Sequence, residues 1–324
     1  MNDTPIRVAA IVGPTASGKT ALSVALAERM SAEIISCDSM QLYRRMSIGT
    51  AKPTVKEQKG IPHHLLDCID PEISFSAADY AVRAETAVQD ILSRGKTPLF
   101  SGGTGLYLDA FLRGGLPQQE EIDPALLAEL NTFLEREGKD ALYRRLVAVD
   151  PTAAEKIHPN NLRRVLRALA LSLSGDKNKT ERDAEKSGYS EKYAPTVVGL
   201  LWNRALLCER IDLRVEEMFR MGLLEETERL MREGVFEVSA TAAQAIGYKE
   251  LFPYFRGEAT LDAVKERLKI STHQYAKRQM TWFRAHGNVV WVPMDDGKSP
   301  LKFEEIVNNV ARVFRDREFC VIMN

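Results

Sequence analysis

The chain has 324 residues, 44% of them hydrophobic and 27% charged, the composition of a soluble globular protein long enough for two compact units. A formal net charge of −1 provides no overall basic field, so any nucleic-acid contact must use local patches. No apolar run reaches membrane-span length, no signal peptide opens the chain, and Cys37, Cys68, Cys208 and Cys320 are too scattered for a zinc site or disulfide framework; a reduced, cytoplasmic protein is expected.

The first predicted strand, Val8 to Val12, runs into Gly13-Pro14-Thr15-Ala16-Ser17-Gly18-Lys19-Thr20, and a predicted helix from Lys19 to Met30 follows. This is the P-loop spacing G-x-x-x-x-G-K-[ST] in its strand–turn–helix setting. Backbone N–H groups of such a turn face an anion, Lys19 adds a positive charge, and the Thr20 hydroxyl is a candidate Mg²⁺ ligand. A turn that only joined a strand to a helix would need neither the lysine nor the threonine.

The second predicted strand, Glu33 to Ser36, leads into Cys37-Asp38-Ser39-Met40-Gln41. A carboxylate at the carboxyl end of a strand faces the same cleft as the P-loop, where Asp38 can serve as a general base or hold a metal through water. Asp is equally suited to capping a turn. His63 and His64 are adjacent, which suits joint chelation poorly. After a predicted helix from Ala77 to Arg94, the third strand, Thr97 to Ser101, ends in Gly102-Gly103-Thr104-Gly105-Leu106-Tyr107. Many P-loop hydrolases place an acid there. Glycines and a hydroxyl argue against a nucleotide hydrolase and suit an anion, with Thr104 as donor, although a plain tight turn would look the same.

Arg113-Gly114-Gly115-Leu116-Pro117 has the character of a hinge, and strand signals then cease. From Asn161 to Leu173, Leu162, Val165, Leu166, Leu169 and Leu173 recur at helical spacing, with Arg163, Arg164 and Arg167 off that stripe. Ser174 to Gly188 is polar and reads as an exposed connection. Pro195 to Trp202 restores a buried-strand pattern, and one long amphipathic helix is predicted from Ala205 to Arg232. On it, Arg210 and Arg214 share a face, with Glu217 available to pair with Arg214. Tyr275 to Arg284 interleaves cations with aromatics, a mixture suited to phosphate and base contacts or to a solvated helix face over core aromatics. The alternation predicts an α/β fold: a P-loop parallel sheet flanked by helices, residues 1–115 and 195–324, with an inserted all-helical domain at residues 116–194.

In order and spacing, Gly13 to Thr20, Ser36 to Tyr43, Ile48-Gly49-Thr50-Ala51-Lys52-Pro53, Pro62 to Asp67, Gly102 to Tyr107, His158 to Arg167, Ala245-Ile246-Gly247-Tyr248-Lys249-Glu250 and Tyr275 to Arg284 resemble the tRNA dimethylallyltransferase family, bacterial type. The resemblance spans nearly the whole chain. It implies transfer of a dimethylallyl group from dimethylallyl diphosphate to N6 of the adenosine 3′-adjacent to the tRNA anticodon. Residues Gly13 to Thr20 would then cradle a diphosphate leaving group, aided by Lys19, Thr20, Thr104, Arg214 and Mg²⁺. Asp38 matches the family's base. Asp38, Ser39, Met40, Gln41 and Thr104 would meet the flipped-out adenosine, and Arg163, Arg164, Val165, Leu166 and Arg167 would contact the anticodon stem-loop. Leu126 and Leu127 stand where some relatives carry a basic residue after Asp123-Pro124, and the zinc-finger extension of eukaryotic relatives is not expected. A monomer is expected.

Two alternatives follow from the P-loop alone. A small-molecule kinase would grip ATP and need no RNA. A nucleotide-gated, GTPase-like RNA-binding switch finds its best support in Asn178-Lys179-Thr180-Glu181, but that string lies in the polar connection rather than after a buried strand. Neither accounts together for Asp38 to Gln41, Gly102 to Thr104 and the tryptophan-bearing basic segment.

Overall fold

The computed structural model describes residues 4–115, 122–174, 189–285 and 288–320. They fall into two compact units, one of residues 1–115 with 190–324 and one of residues 116–189. The strands of the larger unit are β1 (Ile6–Val12), β2 (Ala32–Cys37), β3 (His63–His64), β4 (Thr97–Gly102), β5 (Tyr193–Leu201) and β6 (Val289–Pro293). They form one sheet in the order β3-β2-β4-β1-β5-β6, parallel throughout. Sheets covered on both faces select near-continuous apolar runs. Residues 8–12 of β1 and all of β2 are accordingly buried.

The register aligns Val12 with Gly102 and Gly199, and Cys37 with Gly102. The turns after β1, β2, β4 and β5 therefore leave the same edge of the sheet, the edge where open α/β sheets bind ligands. Helix Lys19–Met30 packs Leu22 and Leu26 into a core with Ile11, Ile34, Leu99 and Val198, and the last helix, Phe303–Asp316, adds Val307, Val310 and Phe314. Helix Ala77–Ser93 begins with a reciprocal Ser76–Asp79 capping box and buries Ala77, Ala81, Ala84 and Val88 along one face.

In the smaller unit, helices Pro124–Val149, Pro151–Lys156 and Leu162–Leu173 enclose a core of Leu130, Leu142, Leu146, Ala153, Val165, Ala168 and Leu169. The first of these breaks its helical path at Gly138 (φ 81°).

Three sequence expectations need correction. The segment Ala205 to Arg232 is two helices, Arg204–Arg220 and Leu223–Arg232, because Gly222 adopts φ 98° between them. A left-handed glycine ends a helix even where the apolar period continues past it. Strand β5 starts at Tyr193, two residues before the Pro195 from which the pattern was read. Strands β3 and β6 were not anticipated: the first has only two residues, and the second is a five-residue run that follows helix Leu261–Arg284 late in the chain. Residues 175–188, which include the Asn178 to Glu181 string and most of the predicted connection, lie outside the described residues, as do Leu116 and Pro117. Among the described residues no helix is long and apolar enough to cross a membrane.

Candidate active site at the carboxyl ends of the strands

The P-loop adopts the backbone its glycines predict. Gly18 sits at φ 89° immediately before the helix, and Ala16 is also left-handed at φ 60°. The loop is braced through its carbonyls. Trp202, at the end of β5, donates Nε1–H to Ser17 O at 3.0 Å, and Arg210 donates Nε–H to Ala16 O at 2.9 Å while stacking 4.4 Å over the Trp202 ring. Bracing through these C=O groups leaves the N–H groups of Ala16, Gly18, Lys19 and Thr20 for a ligand, whereas Thr15 N donates to Gln279 and Ser17 N to Pro14 O. Lys19 Nζ folds back onto Gly13 O (3.0 Å) and Pro14 O (2.7 Å). Burial lowers its pKa from 10.5 to about 8, opposed by the Asp38 carboxylate and reinforced by Arg214. Ser17 Oγ is buried with no hydrogen-bond partner, and the Thr20 hydroxyl bonds to no described residue. A desolvated cation and an orphaned hydroxyl in an amide-lined loop are a site built for an anion.

At the end of β2, Asp38 Oδ1 accepts from Met40 N (2.9 Å) and Gln41 N (3.3 Å). This is the turn-capping geometry anticipated as one use of Asp38. It also aims the group: Oδ2 is left without a partner among the described residues. Thr104 arrives beside it for a steric reason. A Cβ on Gly102 would lie 2.0 Å from Cys37 O, so glycine lets the turn after β4 press against the end of β2. Thr104 N then donates to Cys37 O at 3.0 Å, and Thr104 Oγ1 accepts from Ser39 N at 3.0 Å. Cys37 itself is buried, which pushes its thiol up to about 12 and leaves it inert.

Arg214 does not pair with Glu217, whose carboxylate takes Arg220 at 2.7 Å instead. It turns inward and donates to Ala51 O at 3.3 Å, an oxygen that also accepts from Gln41 Nε2 at 3.1 Å. Burial lowers the Arg214 guanidinium pKa, with the Glu57 and Asp38 carboxylates opposing and Arg210 adding to the fall. Lys19, Arg214 and Asp38 thus share one electrostatic neighbourhood, and Gln41 and Arg214 share one carbonyl.

The loop that presents Ala51 is held by a residue sequence reasoning missed. Glu226, 5% exposed, accepts from Ser47 N (3.1 Å), Ile48 N (2.8 Å), Gly49 N (3.1 Å) and the Tyr248 hydroxyl (2.7 Å). Gly49 lies flat on Tyr248, where a Cβ would come within 2.4 Å of the ring, and a Cβ on Gly247 (φ 108°) would lie 2.6 Å from Gly49 O. The strings Ile48 to Lys52 and Ala245 to Glu250 are therefore two halves of one clasp. Their glycines were visible; that Glu226 faced inward was not, because charged residues on an amphipathic helix ordinarily face water.

Tyr275 to Arg284 belongs to a helix spanning Leu261–Arg284 and carries an exposed basic face over buried residues. Lys277, Arg278 and Arg284 are exposed, whereas Gln279 and Phe283 are buried. Gln279 accepts from Thr15 N at 2.8 Å and donates to Gly103 O at 3.0 Å, and Trp282 packs where a Cβ on Gly105 would lie 2.1 Å from its ring.

In the smaller unit, Asn161 caps helix Leu162–Leu173, and Arg163, Arg164 and Arg167 are exposed with no carboxylate partner among the described residues. Val165 is 0% exposed and Leu166 packs against the same core, so these two side chains serve folding and the three guanidinium groups form the available face. The rings of His63 and His64 are engaged separately: His63 Nδ1 lies 2.8 Å from Ile61 O, and His64 Nε2 lies 2.7 Å from Glu33. Among the described residues no group of three His, Cys, Asp or Glu is placed to hold a metal by itself.

A model of the IPP transferase family matches residues 41–286. The tRNA dimethylallyltransferase of Bacillus subtilis is 45% identical over 312 residues, covering 96% of this chain and 98% of its own. That of an Exiguobacterium species is 44% identical over 315 residues, covering 97% and 98%. The full-length tRNA isopentenylpyrophosphate transferase of Bacillus halodurans superposes with a TM-score of 0.68 at 41% identity, covering 96% of this chain and 97% of that one. A eukaryotic dimethylallyltransferase whose structures show it acting on tRNA gives a TM-score of 0.76 at 31% identity, covering 90% of this chain and 74% of that one.

Proposed function

Because the chain belongs to the IPP transferase family, we propose that it transfers a dimethylallyl group from dimethylallyl diphosphate to N6 of the adenosine 3′-adjacent to the anticodon in tRNA. The observation that supports this most directly is the convergence at one sheet edge of an anion cradle, Gly13 to Thr20, with a carboxylate, Asp38, and a hydroxyl, Thr104.

In the reaction the allylic C–O bond breaks, a C–N bond forms to N6, and the N6 proton leaves. Negative charge builds on the diphosphate as the C–O bond lengthens, and preorganised donors aimed at that charge lower the barrier. The loop amides, Lys19, Thr20, Thr104 and Arg214 fill that role. Lys19 exchanges its two carbonyl acceptors for phosphate oxygens. The adenine amine is a weak nucleophile because its lone pair is delocalised into the ring. Asp38 Oδ2 accepts its proton while Oδ1 stays anchored to the backbone. Ser39, Met40 and Gln41 line the place of an extruded adenosine.

The residues also fit Mg²⁺ carried by the substrate. With no complete protein ligand set among the described residues, Thr20 offers one hydroxyl, and the remaining ligands would be diphosphate oxygens and water, as this ion prefers. When bound it would neutralise charge on the leaving group. Arg163, Arg164 and Arg167 are assigned to phosphates of the anticodon stem-loop, with Val165 and Leu166 supporting their helix from within. A monomeric, cytoplasmic enzyme completes the assignment.

Incubation with unmodified tRNA, Mg²⁺ and dimethylallyl diphosphate should yield N6-dimethylallyl-adenosine in the digested nucleosides, and omission of Mg²⁺ should slow its appearance. Folded protein that forms no such nucleoside, or that transfers phosphate from ATP to a small acceptor, would refute the assignment.

A further inference from the structure

We propose that Gln279 is a positioning residue that straps the P-loop to the turn carrying Thr104 and so fixes the spacing of the diphosphate site. The proposal rests on the diphosphate assignment above. Gln279 is 5% exposed and touches both loops with one amide, Oε1 accepting from Thr15 N at 2.8 Å and Nε2 donating to Gly103 O at 3.0 Å. Past the last β1–β4 pair, Val12 with Gly102, no backbone hydrogen bond joins the two loops among the described residues. They are nevertheless close: a Cβ on Gly103 would lie 2.0 Å from Gln279 Nε2 and 3.2 Å from Gly13 O. Gly103 is therefore glycine to admit the strap.

The chemistry of the link is selective. A neutral amide presents a donor and an acceptor a short, fixed distance apart, and both are matched here by backbone groups of opposite kind. Glutamate would keep the acceptor for Thr15 and set a carboxylate against the Gly103 carbonyl. An aliphatic side chain would satisfy neither group. Two glycine-rich loops have many accessible conformations, and fixing them before substrate arrives removes reorganisation from the step that builds charge on the leaving group. Thr15 N–H is also engaged by Gln279, which withdraws that donor from the cradle.

The test measures binding of inorganic diphosphate by titration calorimetry and of tRNA by filter retention, on folded full-length protein. Gln279→Ala removes two hydrogen bonds and should weaken diphosphate binding about ten-fold or more while tRNA affinity stays within about two-fold. Gln279→Glu should also weaken it, although it is nearly isosteric. Gly103→Ala displaces the strap from the other side, and the double variant Gln279→Ala/Gly103→Ala should bind diphosphate no worse than the weaker single variant. General destabilisation would give independent, additive losses and would move both ligands alike. Unchanged diphosphate affinity in Gln279→Ala, or additive losses in the double variant, overturns the strap. Lys19→Ala separates this from the underlying assignment: if it too keeps full diphosphate affinity, the P-loop is not the diphosphate site.

Discussion

Lys19 carries two opposed demands. It must be charged to meet a phosphate, yet burial pulls its pKa down from 10.5 to about 8, against the attraction of Asp38. In the free protein it is cationic below pH 8 and loses its charge as the pH rises through that value. An anion binds the protonated form better, so kcat/KM for dimethylallyl diphosphate should fall along a limb near pH 8. The limb in kcat should lie higher, because bound diphosphate raises the pKa. Lys19→Ala should be slower throughout and lack the limb. A wild-type profile that stays flat to pH 10 would remove Lys19 from the role. The stability effect has the opposite sense: between about 8 and 10.5 the unfolded chain holds more protons than the folded one, so this group's contribution to stability rises with pH across that window.

Among the elements, helix Leu223–Arg232 does more than its amphipathic pattern discloses. Its Glu226 organises Ser47 to Gly49, and that loop presents Ala51 O to Gln41 and Arg214. Glu226→Gln keeps the shape but turns an amide NH2 toward backbone donors, leaving buried N–H groups unpaired at a cost of about 1–3 kcal/mol. The urea midpoint should shift downward, and turnover should fall further than stability alone requires, as the Ala51 carbonyl loses its support. An unchanged midpoint would show that the clasp carries no stability. The same helix marks the limit of what the sequence discloses. The P-loop, Asp38 and the Gly102 to Thr104 turn were legible because each joins a local pattern to a strand end. Glu226, Gln279 and the true partner of Arg214 were not, because their meaning lies in partners 163 to 264 residues away along the chain. Periodicity reports which face of a helix is apolar and is silent about a carboxylate or amide that leaves the polar face to serve a distant loop. The helix break at Gly222 was missed for a related reason: the apolar period runs on either side of it, and only the backbone angle shows the stop.

For the whole molecule, a net charge of −1 and an RNA substrate are reconciled by where charge is left unpaired. Many surface arginines are neutralised locally, such as Arg45 by Glu72 and Glu233, and Arg256 by Glu258. Helix Leu162–Leu173 contains no acidic residue, and Arg163, Arg164 and Arg167 stand exposed over a core of leucine and alanine. Exposed cations without counter-charges have ions to release when they meet phosphates. Replacing Arg163 and Arg167 together by Ala should leave the unit folded, since both are exposed and Ala is the best helix former. Binding to tRNA should weaken, and the slope of log affinity against log salt should become shallower by roughly one for each phosphate that no longer meets an arginine. Diphosphate affinity, governed by residues of the larger unit, should not change. Filter binding across a salt series measures both the affinity and the slope. If the double variant keeps the wild-type values of both, Arg163 and Arg167 are ordinary solvated charges, and the RNA must be held elsewhere, with the exposed Arg164, Lys277, Arg278 and Arg284 the next cations to replace.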